Sequence, residues 1–330
     1  MFTAGLFLLT PCGLCRNQRL SFLKKPIFNL KSTLLWVSLA CWVWIEPLAN
    51  AQIVLNDTFD VGSPATRGND AADALDAAWW SAQNTPLLTI ANDTGGINQG
   101  NALQVDTSNG GNDRQVFANQ FGTASLGANV GDSLKLSFGF RFTLITSGSQ
   151  TAFRLGLYND NGTTLTADNQ KPQSNNDSGY LAAIGFGTFS AASVMDETGG
   201  PGGILGGTDI ADRTTNSSPI AINDLLAHTA SFTVTRSASN PVHLELAIDG
   251  TSRASGEDSS LILTNFNELA FLNDSVELDY RLDNVKLERV PVPEPRTMAL
   301  FALAAAACLW NRHVARARKT GTRHAGKTWR

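Results

Sequence analysis

Apolar and polar residues alternate with a period of two along most of the middle of the chain. The longest run is 134–144, where leucine and phenylalanine alternate with lysine, serine, glycine, arginine and threonine. Because successive side chains of a strand point to opposite faces, this run predicts a strand with one buried face. Similar, shorter runs occur at 53–59, 87–91, 102–106, 115–121, 151–158, 180–188, 230–236, 242–248, 268–272 and 280–288.

Turn residues separate these runs. Asn-Asp-Asn-Gly occupies 159–162, Asn240 precedes Pro241, and Asp249 precedes Gly250. Such dipeptides favour tight connections between antiparallel strands. Many short strands without crossover helices predict an all-β fold, an antiparallel jelly-roll sandwich, over residues 52–289.

Three segments depart from the two-residue period. The alanine-rich residues 70–78 predict two helical turns, and 220–227 predict one or two. Residues 190–219 are rich in glycine, serine and threonine. We expect this stretch to be a long loop, and we favour a mobile excursion over a binding loop.

The N-terminal end has the features of a secretory signal. A 13-residue apolar core, 33–45, follows a lysine-containing segment, and Ala49 and Ala51 supply the small residues that signal peptidase reads. We therefore predict that residues 1–51 form a leader with a signal helix, and that Gln52 begins the mature protein. The Sec translocon and signal peptidase are the expected partners.

The C-terminal end predicts a stop-transfer segment over residues 290–330. Pro293, Glu294 and Pro295 make a stiff stretch, and a predicted transmembrane helix follows at 297–310. Its 13 apolar residues, 298–310, span about 20 Å, less than a bilayer core of about 30 Å, so flanking residues must contribute or the membrane stay is transient. A basic cluster then places the C-terminus inside: Arg312, Arg316, Arg318 and Lys319.

This order of elements resembles the PEP-CTERM sorting signal of Gram-negative bacteria that secrete exopolysaccharide. The resemblance rests on Pro293-Glu294-Pro295, the helix and the basic cluster. It implies that an exosortase recognises and processes the tail. The expected route is then export, an inner-membrane intermediate, and release to the cell surface or extracellular matrix. An ordinary single-pass anchor is the alternative.

Charge and cysteine usage narrow the function classes. The net charge is −4, but residues 52–290 carry 12 basic and 27 acidic side chains while both ends are basic. An acidic body excludes nucleic acid as the partner, since phosphates are repelled. No cysteine lies in the body, so a disulfide framework is excluded there; the four cysteines are Cys12, Cys15, Cys41 and Cys308.

The body also resembles the concanavalin A-like jelly rolls of lectin and laminin-G type. Residues 228–236 and 242–250 are similar to that family's hairpin with an Asp-Gly turn, 281–287 to its closing strand and 56–59 to its opening strand. The resemblance implies glycan binding, with exopolysaccharide as a candidate partner. It also implies a structural Ca²⁺ in some members, and no other cofactor. The candidate Ca²⁺ ligands are Asp57, Asp60 and Asp283, with chance placement of surface acids as the alternative.

Glycan stacking requires exposed aromatic side chains. Neighbouring residues of a strand face opposite sides, so we expect one of two adjacent tryptophans to lie in the core and the other to be exposed. Packing in the core is the alternative for the whole set. The candidate glycan contacts are Trp79, Trp80, Tyr158 and Tyr180.

Candidate catalytic residues are few. Glycosidases use two carboxylates about 5–9 Å apart. The nearest pattern is Glu277-Leu278-Asp279-Tyr280-Arg281, which lacks the second glutamate, and no Gly-x-Ser-x-Gly occurs in the chain. We predict a non-catalytic body. The alternative is a secreted polysaccharide-active enzyme, a glycoside hydrolase or lyase, that uses Glu277 and Asp279.

Overall fold

The computed structural model describes the chain in segments, all within one compact unit. The predicted leader at 1–49, the motif at 293–295 and the basic residues from 316 to 319 lie outside the described residues. The described ranges are 50–60, 75–81, 87–94, 96–97, 100–107, 114–119, 121–145, 151–170, 176–186, 191–199, 205, 209–220, 222, 224–238, 241–260, 262–273, 278–292 and 303–312.

Strands dominate the described residues. In chain order they are β1 (Gln52–Asp57), β2 (Ala78–Ser81), β3 (Leu87–Asn92), β4 (Asn101–Asp106), β5 (Arg114–Asn119), β6 (Ala124–Ser125), β7 (Ser133–Ile145), β8 (Thr151–Asn159), β9 (Ser178–Phe186), β10 (Ala192–Glu197), β11 (Ile210–Asp212), β12 (Thr214–Ser217), β13 (His228–Arg236), β14 (Val242–Ile248), β15 (Thr251–Asp258), β16 (Asn265–Phe266), β17 (Glu268–Asn273) and β18 (Leu278–Val290).

These strands form two main antiparallel sheets. The nine-stranded sheet has the order β12-β15-β14-β13-β7-β18-β4-β3, with β1 also paired to β18. The seven-stranded sheet has the order β11-β10-β9-β8-β17-β5-β2, and β6 and β16 form a small ladder. The predicted all-β antiparallel sandwich is confirmed, and its arrangement is of jelly-roll type.

The core lies between the two sheets. Along β7 the residues Leu134 to Phe142 at every second position are buried, as the alternation predicts, and Leu144 at the strand end is exposed. Aromatic rings join the layers: Phe138 lies 5.3 Å from Phe271, and Phe140 lies 5.9 Å from Phe153, between ring centroids. Since β7 belongs to one sheet and β8 and β17 to the other, these rings hold the sheets face to face.

Two local backbone features agree with the sequence. Asp249 and Gly250 both have positive φ, 50° and 72°, and they join β14 to β15 in a two-residue hairpin. Asn284 has a φ of 52° and lies within a register shift between β18 and β7. This bulge places Leu282 and Val285, three residues apart, both in buried positions, which strict alternation would not allow.

Several local predictions were wrong. Residues 75–77 are not helical and Ala78 begins β2, and no described residue of 220–227 is helical. The predicted loop at 190–219 contains β10, β11 and β12. β10 pairs with β9, and β12 pairs with β15. Local propensity does not include such pairing with distant strands, so it does not predict these segments as strands.

The predicted tail helix is only partly described. Residues 303–312 are helical, which covers 303–310 of the predicted transmembrane segment 297–310 and extends it to Arg312. Within the described part of the chain, we find no helix with the length and apolar character needed to cross a membrane.

Candidate functional site

A row of polar side chains crosses the outer face of the seven-stranded sheet. The strand register places Glu268 opposite Tyr158, Tyr158 opposite Gly179, and Gly179 opposite Glu197. A Cβ atom on Gly179 would lie 2.4 Å from Tyr158 Cδ1, so the tyrosine ring lies across the glycine. Its hydroxyl thereby reaches Glu197 and donates a hydrogen bond of 2.6 Å to Oε2.

Loop residues cover this face. The backbone N–H of Leu205 also donates to Glu197 Oε2, at 2.8 Å, and Leu205 has a positive φ of 61°. A second apolar cluster packs between the covering loops and the strands. Its members, all buried, include Phe117, Leu165, Leu181, Leu205 and Leu272. A ligand therefore has no access to this face in the present conformation.

The carboxyl groups beneath the cover are protonated more readily than usual. Burial raises the pKa of Glu197 to about 8, although the hydrogen bond from Tyr158 opposes this. Burial also raises the pKa of Asp177 to about 7. The pKa of Glu268 lies well above its usual range, because the group is buried and next to Asp177. By distance and angle, no described residue donates a hydrogen bond to the four carboxyl oxygens of Asp177 and Glu268, so a proton held between them is the natural compensation.

Three of the four candidate glycan contacts are not exposed in the structure. Trp79, Tyr158 and Tyr180 are fully buried, because they lie on β2, β8 and β9, whose faces are covered by the opposite sheet or by loops. Trp79 Nε1 donates to Asp57 Oδ2 at 2.7 Å within the core. Trp80 is half-buried on the opposite face of β2 and donates to Asn119 Oδ1 at 3.2 Å. The expected division of the two tryptophans between faces is correct.

The structure brings two of the three predicted Ca²⁺ ligands near each other, since the charge of Asp60 contributes, after burial, to a raised pKa at Asp283. The first and last strands do pair, with Asp57 opposite Val285. The Asp57 carboxylate, however, is fully buried and occupied by Trp79 and by the N–H of Phe59, while Asp60 is exposed. Across the described ranges, no group of three or more histidine, cysteine or acidic residues is spaced to hold a metal ion. Burial raises the pKa of Asp57 to about 7, a protonation that itself disfavours a metal ligand.

The carboxylate proposed for the enzyme alternative has a structural role. Asp279 Oδ1 accepts hydrogen bonds from the backbone N–H of Thr107 at 2.7 Å and from its hydroxyl at 3.3 Å. These bonds tie the end of β4 to β18. Glu277, the second candidate, lies outside the described residues.

An open polar cavity lies at one rim of the sandwich, and we call it the rim pocket. It has a volume of about 290 Å³. It lies between β1, the end of β18 and the segment that leads into β6. Its lining residues are Gln52, Ile53, Val54, Gly122, Thr123, Ser125 and Arg289.

Strand pairing builds the rim pocket. Gln52 is directly opposite Arg289 in the β1–β18 ladder, so the start of one strand and the end of the other form one wall. Ser125 forms the other wall and is held by the β6–β16 ladder, with its hydroxyl donating to Asn265 Oδ1 at 2.7 Å. These residues are far apart in sequence, and no local motif marks them as a site. The sequence feature that could have indicated this site was the similarity of 56–59 and 281–287 to the opening and closing strands of concanavalin A-like jelly rolls, because such strands pair.

The pocket lining suits a hydroxyl-rich ligand. The Gln52 amide and the Thr123 and Ser125 hydroxyls both donate and accept hydrogen bonds, and the Arg289 guanidinium donates only. Ile53 and Val54 add an apolar side. None of the described residues that line the pocket carries a carboxylate.

Comparisons with known proteins find similarity only at the level of structure. No protein-family model and no curated protein matches the chain. A carbohydrate esterase from the Shiga toxin-encoding bacteriophage phi24B aligns at 12% identity over 73% of this chain and 100% of that chain, with a TM-score of 0.44. A Bacillus subtilis protein of unknown function with a galectin-like fold aligns at 9% identity over 74% and 100%, with a TM-score of 0.43. The carbohydrate recognition domain of Emp47p aligns at 10% identity over 72% and 95%, with a TM-score of 0.41. Similarities at this level carry no conclusion about function.

Proposed function

We propose that this chain is an exported protein, sorted by a PEP-CTERM and exosortase route to the cell surface or matrix, whose sandwich binds carbohydrate without cleaving it. The rim pocket is the observation that carries the binding proposal. Small-molecule sites are concave, with a few convergent polar groups that fix orientation. The rim pocket has this character, with an amide, two hydroxyls and a guanidinium around an apolar wall.

The size of the rim pocket limits its ligand. Ligand sites usually enclose about 300–1,000 Å³, and the rim pocket, at about 290 Å³, is at the lower end. We therefore expect it to hold one or two sugar units of a longer chain that continues into solvent.

The placement of carboxyl groups favours binding over hydrolysis. A glycosidase needs two carboxyl groups on either side of the bond it cleaves, about 5–9 Å apart. The described lining of the rim pocket contains no carboxyl group. The buried pair Asp177 and Glu268 lies under covering loops, and Asp279 is engaged by Thr107.

The position of the sorting motif supports the route to the surface. β18 ends at Val290, and the N–H of Val292 donates to Asp132 Oδ1 at 2.9 Å. A Cβ atom on Gly131 would lie 2.6 Å from Val292 Cγ2, so this residue packs closely on the body. In the sequence, Pro293-Glu294-Pro295 follows directly after this residue, which is the order that a processing signal for release requires.

A glycan array combined with hydrolysis assays tests the binding proposal. Gly122 lines the rim pocket and no atom lies within 4 Å of a Cβ placed on it, so Gly122→Phe fills the pocket without disturbing the fold. We expect the exported protein to bind a glycan without turnover, and Gly122→Phe to lose that binding at an unchanged unfolding temperature. Leu226→Phe, at an exposed loop residue, is the matched control.

Two results would contradict these proposals. Turnover of a bound glycan, or unchanged binding by Gly122→Phe, would exclude the non-catalytic rim-pocket function. Mass spectrometry of the protein from cells and medium tests the sorting route, because it determines both ends. An intact leader and an intact tail on surface-exposed protein would exclude that route.

A further inference from the structure

We propose that the ligand of the rim pocket carries a carboxylate, as a uronic acid does, and that Arg289 binds this group. This inference rests on the carbohydrate-binding function proposed above and names the class of sugar. Val285, Leu287 and Arg289 follow the two-residue period of β18, with the first two fully buried. Arg289 is the end of this inward row, so its guanidinium lies at the rim of the sandwich and faces the pocket.

Among the described residues, Arg289 has no acidic partner. Its Nε is buried and has no hydrogen-bond acceptor. The nearest acid along the strand, Glu288, points to the opposite face and pairs with Lys286 at 2.7 Å. By contrast, Arg213 pairs with Asp196 through two hydrogen bonds of 2.6 and 3.0 Å.

The guanidinium of Arg289 lies in a body that is rich in acidic residues. Acidic residues outnumber basic ones by 27 to 12 over residues 52–290. A buried donor without an acceptor costs free energy, which a ligand that supplies the acceptor recovers on binding. The planar guanidinium matches a carboxylate through two parallel hydrogen bonds, a geometry that a neutral sugar hydroxyl does not provide.

The other lining groups suit the rest of a sugar. The Ser125 hydroxyl donates to Asn265, so its oxygen is left to accept a hydrogen bond from a ligand hydroxyl. Thr123 and the Gln52 amide both donate and accept. The neutral groups thus serve the sugar hydroxyls, and Arg289 serves the charged substituent.

The charge of the body restricts the ligand further. A strongly acidic domain repels a densely charged polyanion at a distance, and this repulsion weakens as salt screens it. A single carboxylate within a mostly neutral chain avoids most of the repulsion. We therefore infer a glycan with isolated uronic acid residues.

A second cavity supplies a control. It has a volume of about 130 Å³ and is lined by Arg253 with serine, alanine and asparagine residues of β12 and β15. Arg253 Nε is likewise buried without an acceptor. This cavity is too small for a sugar ring with its substituents, so Arg253→Gln removes a similar arginine without touching the rim pocket.

Calorimetric titration of the exported protein with a panel of short oligosaccharides tests the inference. Each neutral member of the panel, from glucan, mannan and galactan series, is matched by a form with one terminal unit oxidised to the uronic acid. We expect the acidic form of the bound series to bind at least about tenfold tighter, the strength of one charge-assisted bidentate contact. Arg289→Gln should remove this preference for the acidic form, and Arg253→Gln should keep both the preference and the affinities.

The possible failures are distinguishable. Equal affinity for neutral and acidic members, or a preference that survives Arg289→Gln, overturns the assignment of Arg289 and leaves carbohydrate binding intact. Absence of binding across the whole panel overturns both proposals. Unfolding temperatures of the variants, measured alongside, separate loss of the contact from loss of the fold.

Discussion

Glu268 illustrates how a residue can be costly to a fold and still be accommodated. It is fully buried beside Asp177, and both of its carboxyl oxygens lack a donor. Two ionised carboxylates in such surroundings repel each other, and neither is solvated. The pair therefore tends to hold one proton, which is why the pKa of Glu268 lies well above its usual range.

Replacing Glu268 by glutamine should stabilise the protein at pH 8. The neutral amide donates to Asp177 and removes the need to bind a proton, so we expect the free energy of unfolding to rise by about 1–3 kcal/mol. Urea denaturation at pH 8 measures the change. Glu288→Gln, at a half-buried residue of the outer face, is the control and should change stability by less than about 0.5 kcal/mol. A lower stability of Glu268→Gln at pH 8 would mean that the ionised form is compensated in another way.

At the scale of elements, one arginine joins the edges of the two sheets. Arg213 lies between β11 and β12, and its Nε lies 2.6 Å from Asp196 Oδ1 on β10 and 3.4 Å from Asp258 Oδ1 on β15. Both carboxylates are fully buried. Because β10 belongs to the seven-stranded sheet and β15 to the nine-stranded sheet, this contact closes the sandwich at one side.

Replacing Arg213 by glutamine should destabilise the protein by about 3 kcal/mol at pH 7. The substitution leaves two buried carboxylates without their cation, which is the costly way to break a buried ion pair. Denaturation curves at pH 7 test this. Lys135→Gln, at an exposed position of β7, should behave as the native protein does. A loss of less than about 0.5 kcal/mol in Arg213→Gln would show that the two carboxylates do not depend on this cation.

At the scale of the whole molecule, buried acids set the pH dependence of stability. Burial is the main cause of raised pKa values at Asp57 (about 7), Asp177 (about 7), Glu197 (about 8) and Asp283 (about 6), against ordinary values of 3.8 for aspartate and 4.5 for glutamate. At a pH between the ordinary pKa of such a group and its raised pKa in the folded protein, the folded protein holds a proton that the unfolded chain has released. Its stability therefore falls as the pH rises through this window.

We expect the exported protein to be more stable at pH 5 than at pH 8. His228 acts in the same direction, because Asp249 and Asp224 raise its pKa and its contribution is lost as the pH rises through that value. The lowered pKa values of Asp93 and Asp160 act oppositely, but only as the pH falls through them. Thermal unfolding at both pH values, in buffers of equal ionic strength, measures the difference. A higher unfolding temperature at pH 8 would show that the buried carboxyls ionise without cost.

The pairing of β1 with β18 also has a consequence for the whole molecule. Gln52, which the predicted leader cleavage makes the first residue, lies opposite Arg289, four residues before Pro293. The two ends of the sandwich therefore leave it at the rim that holds the pocket. The predicted processing of either end would therefore take place beside the residues that we assign to ligand binding.

The alternation of apolar and polar residues in the sequence is enough to predict the main strands and the two-layer sandwich. Each of the eleven alternating runs coincides with a strand, because a strand with one buried face must alternate. The Asp249-Gly250 hairpin followed from its turn chemistry. The sequence did not predict β15, because its small and polar residues show little alternation of apolar and polar positions. A small residue is needed at Gly256, since the Arg213 carbonyl oxygen approaches Gly256 closely.

Which polar and aromatic residues are accessible to a ligand depends on the tertiary structure. From the sequence, Trp79 and Tyr158 were candidates for exposed aromatic residues that contact a glycan. Sheet packing and covering loops bury both. Conversely, Gln52, Ser125 and Arg289 had no local signal, because a pocket between distant segments exists only once strand register brings them together. Periodicity records which face of a strand is buried. It does not record what a loop covers or which remote residues meet, since these depend on contacts that are not local in sequence.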